Sequence, residues 1–174
     1  MTPLGHTAIS GLVGVGLTRI FPNIGQKLII SATIIGGIIL DSDLLYRFHQ
    51  KGKRVFDGTI GQHRFFLTHT PIFSLFLASL ISFINFQWAI FFFIGCLIHL
   101  FIDTLFFPEG INFFYPFGKK MTKILTITTH KFWAPKPISQ VTGWWKNYLT
   151  SPLFWFFEII PTISSIVIGL DSLK

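Results

Sequence analysis

Residues 88–107 read WAIFFFIGCLIHLFIDTLFF, a run that is apolar enough and long enough to cross a membrane as one helix. It belongs to a longer stretch, Pro71–Pro108, in which Asp103 is the one charged residue and His99 the one histidine. On a helix their spacing places both side chains on one face, one turn apart. Because an ionisable group at membrane depth is costly, the pair predicts a partner: each other, a metal ion or a water-filled cavity.

Apolar segments elsewhere predict an all-α protein, a multi-pass membrane helical bundle of about five helices. The segments are Ala8–Phe21, Leu28–Leu40, Pro71–Phe86, Trp88–Phe107 and Pro152–Leu170. The fourth and fifth are long enough to span alone, whereas the first two are short and rich in glycine. Those two are predicted to be tilted spans or a helical hairpin packed through small residues. Turns are predicted at residues 21–25 and 85–87.

The composition supports a membrane protein of one domain, residues 1–174. Charged residues make up 12% of the chain, about half the fraction usual in soluble domains. The net charge is +7, but most lysines and arginines lie in loops between apolar runs, so no nucleic acid partner is expected. A single cysteine excludes an internal disulfide framework, and the N-terminus lacks a signal-peptide pattern, so the first apolar segment is expected to be retained.

Basic loops predict the orientation in a bacterial inner membrane. Asp41–Thr70 and Glu109–Ser151 are rich in lysine and arginine and, with five spans, lie on the same side as the N-terminus. Positive residues mark that side as cytoplasmic. Lys51, Lys53 and Arg54 would attract anionic headgroups of the lipid bilayer.

Four short motifs contain most of the histidines and fall at the predicted cytoplasmic ends of the helices. Together they predict one site of metal ligands at the cytoplasmic face, because chance placement would scatter such residues over both faces. Mixed histidine and carboxylate ligands suit Zn²⁺ best, with Mn²⁺ or Fe²⁺ as alternatives. The predicted ligands are His6, Asp41, His63, His69, His99 and Asp103.

Three further side chains are candidates for catalysis. Arg64 suits an anionic substrate because its planar fork binds phosphate oxygens through two hydrogen bonds. Asp43 is either a ligand, a support for one, or an uncoordinated carboxylate that takes a proton from water. Glu158 is either such a base, a ligand, or a structural partner for a basic residue. Thr68 is expected to orient a ligand.

The motifs, in this order, resemble the bacterial YdjM-like family of membrane-bound metal-dependent hydrolases. The matching strings are Thr2–His6, Asp41–Asp43, His63–Arg64 with Thr68–Thr70, His99–Asp103 and Tyr115–Phe117. The resemblance covers residues 1–117 well, whereas the rest of the chain matches only in being basic and then apolar. It implies a metal-dependent hydrolase in the inner membrane.

The order of the candidate ligands is also remotely similar to that of zinc-dependent phospholipase C and P1-type nucleases. That similarity implies hydrolysis of a phosphoester, with His6, Asp41, His69, His99 and Asp103 as ligands. Those enzymes also use a later HxxxE pair, which this chain lacks, so one or two ions are expected rather than three.

The predicted function is that of a membrane-bound metal-dependent hydrolase, a phosphoesterase acting on a lipid or lipid-linked phosphate at the cytoplasmic leaflet. Two alternatives remain. A divalent-metal or proton transporter would need ionisable residues at several depths. A non-catalytic structural membrane protein would bind no metal, and its histidines and aspartates would satisfy one another.

Overall fold

The computed structural model describes residues 3–42, 67–106, 111–118 and 154–171. Within these ranges the chain is helical, apart from turns and the short segment 111–118. Five α-helices are present in this part of the chain, in agreement with the predicted all-α class. They are α1 (Pro3–Ile20), α2 (Gln26–Ile39), α3 (Pro71–Ser82), α4 (Phe86–Phe106) and α5 (Ile160–Asp171).

The first two helices form where the glycine-rich apolar segments predict them. The predicted break lies between them: the amide of Phe21 still bonds to Leu17 O at 2.9 Å, and α2 begins after Gly25. The first helix starts at Pro3, five residues before the predicted apolar segment, and therefore includes His6. Proline is favoured in the first turn of a helix because its missing N–H would be unpaired there anyway.

Side-chain caps define the starts of α3 and α4. Thr70 precedes Pro71, and its hydroxyl accepts a hydrogen bond from the amide of Phe73 at 3.3 Å. Asn85 Oδ1 accepts one from the amide of Trp88 at 2.9 Å. Both are preferred capping residues. The predicted turn at 85–87 therefore lies at 83–85, because the Asn85 side chain starts the helix instead of continuing the turn.

Close approaches between backbones organise the packing. Helix α2 lies against both α1 and α4, and α3 packs on α4. A methyl group at Gly36 would overlap the carbonyl oxygen of Phe92, and one at Gly95 would overlap the carbonyl oxygen of Thr33. The two helices therefore touch backbone to backbone, which only glycine allows at these positions. The sequence predicted close packing through small residues between α1 and α2, where a methyl group at Gly37 would overlap Ser10; the backbone contact between α2 and α4 was not predicted.

The last helix packs on α1. A π-helical segment, Trp155–Ile159, precedes α5, and both contact α1. Ser165 Oγ donates a hydrogen bond to Ala8 O at 2.9 Å across this contact. Segment 111–118 adds the fully buried Ile111 to the apolar core.

Helix length bears on the membrane prediction. In the part of the chain that the structure describes, one helix, over Phe86–Leu105, is long and apolar enough to cross a membrane by itself. Helices α2 and α3 are apolar but shorter. The number of spans therefore stays a prediction.

Candidate metal centre

The last turns of α4 carry His99 and Asp103, both completely buried. His99 Nε2 lies 3.6 Å from Asp103 Oδ2, as their spacing on one helix face predicted. The two side chains are the ones that interrupted the apolar run in the sequence, and they form the centre of a larger polar cluster.

Three other elements add a side chain each at the same end of the bundle. His6 comes from the first turns of α1, Asp41 from the turn after α2, and His69 from the 3₁₀ turn Leu67–His69 ahead of α3. Asp41 Oδ1 lies 3.5 Å from His69 Nε2 and 3.7 Å from His99 Nε2. His6 Nε2 lies 3.3 Å from Asp103 Oδ1.

Two groups of three among these five residues are close enough to hold a metal ion. The candidate ligand atoms of His6, Asp41 and His99 all lie within 4.8 Å of one another, and so do those of His69, His99 and Asp103. The His6 and His99 rings are stacked with centroids 3.8 Å apart. All five are buried, with Asp41 5% exposed and the others at 0%. The separate motifs thus bring these five side chains together in space, whereas their common depth in the membrane stays a prediction.

Neighbouring groups orient two of the imidazoles. His99 Nδ1 donates a hydrogen bond to Gly37 O at 2.7 Å, across the contact between α4 and α2. Thr68 Oγ1 lies 3.2 Å from His69 Nδ1, which agrees with the predicted supporting role of Thr68. Metal-ligating histidines almost always have such a partner on the other ring nitrogen. The role of Gly37 was not predicted; its signal is the Gly36–Gly37 pair inside an apolar helix.

The orientation of His99 has an electrostatic consequence. With its proton on Nδ1, the neutral ring presents a lone pair at Nε2 to two carboxylates, and lone pairs repel. A proton on Nε2 would form charge-assisted hydrogen bonds of about 2.7–2.9 Å, but the two distances are 3.6 and 3.7 Å. A cation between the three groups resolves this conflict.

The distances fit a metal ion in that position. Ligand atoms about 2.1 Å from a tetrahedral ion lie about 3.4 Å apart, and the three nitrogen–oxygen distances around this position are 3.5–3.7 Å. Burial lowers the pKa of the His69 imidazole in the 3₁₀ turn, which keeps that ring neutral and able to bind a cation. A divalent cation would also neutralise the two carboxylates, so the residues present fit such an ion.

Four predicted site residues remain. Asp43, His63 and Arg64 fall outside the described residues. Glu158 is fully buried in the π-helical segment against α1 and belongs to neither group of three ligands. Its predicted role as ligand or base stays a prediction.

Comparison with known proteins identifies the family. The profile described as YdjM inner membrane protein matches residues 1–170 and so extends well beyond the motifs that end at Phe117. That description states a membrane location and no reaction. No curated protein and no solved structure matches the chain. The chain is therefore an inner membrane protein and belongs to the YdjM inner membrane protein family.

Proposed function

We propose that the protein is a membrane-bound metal-dependent hydrolase that cleaves a phosphoester in a lipid or lipid-linked phosphate at the cytoplasmic leaflet. The orientation of His99 is the observation that supports the metal site. Its Nδ1 is hydrogen-bonded to Gly37 O at 2.7 Å, so its Nε2 faces Asp41 and Asp103, where a divalent cation would bind between the three groups.

Zinc suits this donor set best, because neutral imidazole and carboxylate ligands at tetrahedral spacing are typical of zinc sites. Mn²⁺ and Fe²⁺ are the alternatives, and the cluster has room for one or two ions. A divalent ion bound there would lower the pKa of a water molecule and polarise a phosphoryl oxygen.

The protein's own side chains would do the rest. Arg64 follows His63 directly in the sequence and would hold the anionic substrate through its planar guanidinium. Asp43 or Glu158 would accept a proton from the attacking water. Glu158 is buried against α1, the helix that carries His6, so this carboxylate is shielded from bulk water.

Membrane placement supports a lipid substrate. Large apolar side chains are exposed on several helices, including Leu75 and Phe76 on α3, Phe101 on α4 and Ile163 on α5. Such surface is typical of lipid contact. We propose that these helices form a multi-pass bundle whose N-terminus and motif loops face the cytoplasm, because the basic residues gather there.

The choice of a phosphoester depends on the ligand order. Histidine, aspartate, histidine and then HxxxD follow one another as in zinc-dependent phospholipase C and P1-type nucleases, and these residues are the ones that meet in the cluster. Arg64 and the basic loops add affinity for phosphate.

Elemental analysis of the detergent-purified protein tests the metal site. We expect at least one zinc or manganese per chain, lost in a His99→Gln/Asp103→Asn variant that keeps its helical circular dichroism. Cys96→Ala is the matched control, because Cys96 lies one turn from His99 on α4 but is buried in the apolar core. A metal-free wild type, after purification without chelator and reloading, would leave a structural role.

A panel of phosphoesters then tests the reaction. The panel should include phospholipids and lipid-linked phosphates in mixed micelles, with the double variant as blank. Cleavage of one class by the metal-loaded wild type is the expected result. If the loaded protein cleaves none, the reaction class is wrong even though the metal site stands.

A further inference from the structure

The three buried histidines of the cluster differ in what holds their rings. His99 is held by Gly37 O through Nδ1, and His69 is placed beside Thr68 Oγ1 through Nδ1. In both rings Nε2 faces Asp41 Oδ1, at 3.7 and 3.5 Å. These are the marks of histidine ligands, with one nitrogen on the ion and the other on a supporting group.

His6 has a different environment. Both of its ring nitrogens are buried without a hydrogen-bond partner among the described residues, and its ring lies flat on that of His99 at an interplanar angle of 18°. Distance alone admits His6 as a ligand, since its ligand atom lies within 4.8 Å of those of Asp41 and His99. No neighbour in the described part of the chain fixes the ring as a ligand, however.

The two oxygens of Asp103 separate the roles. Oδ2 faces His99 Nε2 at 3.6 Å, whereas Oδ1 faces His6 Nε2 at 3.3 Å, the shortest of the four nitrogen–oxygen distances. A ligating carboxylate commonly binds the ion through one oxygen and accepts a hydrogen bond on the other. Asp103 has that arrangement, with His6 on the outer side.

We infer that His6 is not a metal ligand but a positioning residue. In this arrangement Asp41, His69, His99 and Asp103 would hold the ion, and with the ion bound the 3.3 Å approach of His6 Nε2 to Asp103 Oδ1 would close to an N–H···O hydrogen bond. The hydrogen bond fixes the rotation of the Asp103 carboxylate, so Oδ2 stays directed at the ion. The inference rests on the proposed metal site and assigns the residues within it.

Two substitutions of His6 separate the roles. His6→Gln keeps an N–H donor near the position of Nε2, whereas His6→Leu removes it. We expect His6→Gln to bind one equivalent of Co²⁺ with an affinity within about tenfold of wild type. His6→Leu should bind about 10–100-fold more weakly, the usual cost of losing an outer partner. His99→Gln, which loses a ligand, should fall well below both.

The visible absorption of the Co²⁺-loaded protein provides a second measurement. Because the ligand set is unchanged, the bands of His6→Gln should keep the position and intensity of wild type. Ser10→Ala, one turn along α1, is the control for changes in packing of that helix. All variants are compared by circular dichroism at equal detergent concentration.

The outcomes distinguish this inference from the metal site itself. If His6→Gln loses Co²⁺ as completely as His99→Gln, His6 is a ligand; the inference falls and the metal site stands. If His6→Leu binds as tightly as wild type, His6 does not position Asp103. If wild type binds no Co²⁺, Zn²⁺ or Mn²⁺, both proposals fail.

Discussion

Helices α2 and α4 meet in two adjacent regions, of which one is apolar and the other polar. Around Gly36 and Gly95 the contact is apolar, and the backbones touch directly. One turn further along α4, His99 reaches Gly37 O, and the polar cluster begins. Close packing alone stabilises the apolar region. In the polar region, His99 Nε2 faces the carboxylates of Asp41 and Asp103. The glycine contact therefore sets the spacing between α2 and α4 on which the cluster depends.

Removal of the metal should have the largest effect and act on the polar region alone. At a free metal concentration about 1,000-fold above Kd, binding contributes about 4 kcal/mol to the free energy of unfolding. Chelation should therefore lower that free energy by this amount, measured by unfolding of the protein in mixed micelles. In His99→Gln the chelator should change nothing; a similar shift there would place the metal elsewhere.

Gly36→Ala tests the apolar region. The added methyl group would overlap the carbonyl oxygen of Phe92, a backbone atom that cannot rotate away. We expect the free energy of unfolding of the metal-free protein to fall by about 1–3 kcal/mol. Gly16→Ala is the matched control, because nothing lies within 4 Å of a methyl group there. Equal stability of the two variants would contradict the close contact.

Gly37→Ala should affect both regions at once. The methyl group would overlap the side chain of Ser10 on α1, displacing the carbonyl that holds His99. We expect metal affinity, measured by competition with a chelating dye, to fall by about 10–100-fold.

The double variant Ser10→Gly/Gly37→Ala should restore most of that affinity. It removes the two Ser10 atoms in the way and leaves His6 O, at 3.4 Å, as the next neighbour. Failure of this rescue would mean that Gly37 does not act through its contact with Ser10.

Thr68→Val should have the smallest effect. It keeps the shape of the side chain but removes the hydroxyl that lies 3.2 Å from His69 Nδ1. We expect metal affinity to fall by about tenfold, since His69 loses its supporting group. Thr33→Val is the control: its hydroxyl donates to Ile29 O within α2 rather than to a residue of the cluster. Equal affinities for the two variants would show that Thr68 does not support His69.

The helices and the cluster could be predicted because each produces a recognisable pattern of residue types along the sequence. Apolar runs indicate helices, and buried histidines and aspartates in those runs are rare enough to be noticed, as His99 and Asp103 were. Helix α1 begins at Pro3, ahead of the apolar segment, because the polar residues around His6 interrupt the apolar pattern but not the helix. His6 and His69 were identified because both fall at the predicted cytoplasmic ends of the helices, not because of the spacing within any single motif.

Other features could not be predicted from residue types. The partner of His99 is a backbone carbonyl, and every residue has one, so only the packing of α2 on α4 selects Gly37. The π-helical segment around Glu158 also has no distinct sequence pattern. A larger residue at position 37 would overlap Ser10, which lies on another helix, so this requirement for glycine cannot be predicted from α2 alone.

The cluster draws its side chains from elements spread along the chain, and this affects how the protein matures. During synthesis His6 emerges first, then Asp41 and His69, and the end of α4 last. The nascent chain therefore has no complete cluster until α4 has left the ribosome and packed against α2. On the proposed metal site, an ion would be acquired late in biogenesis, and only by chains whose first four helices have assembled correctly.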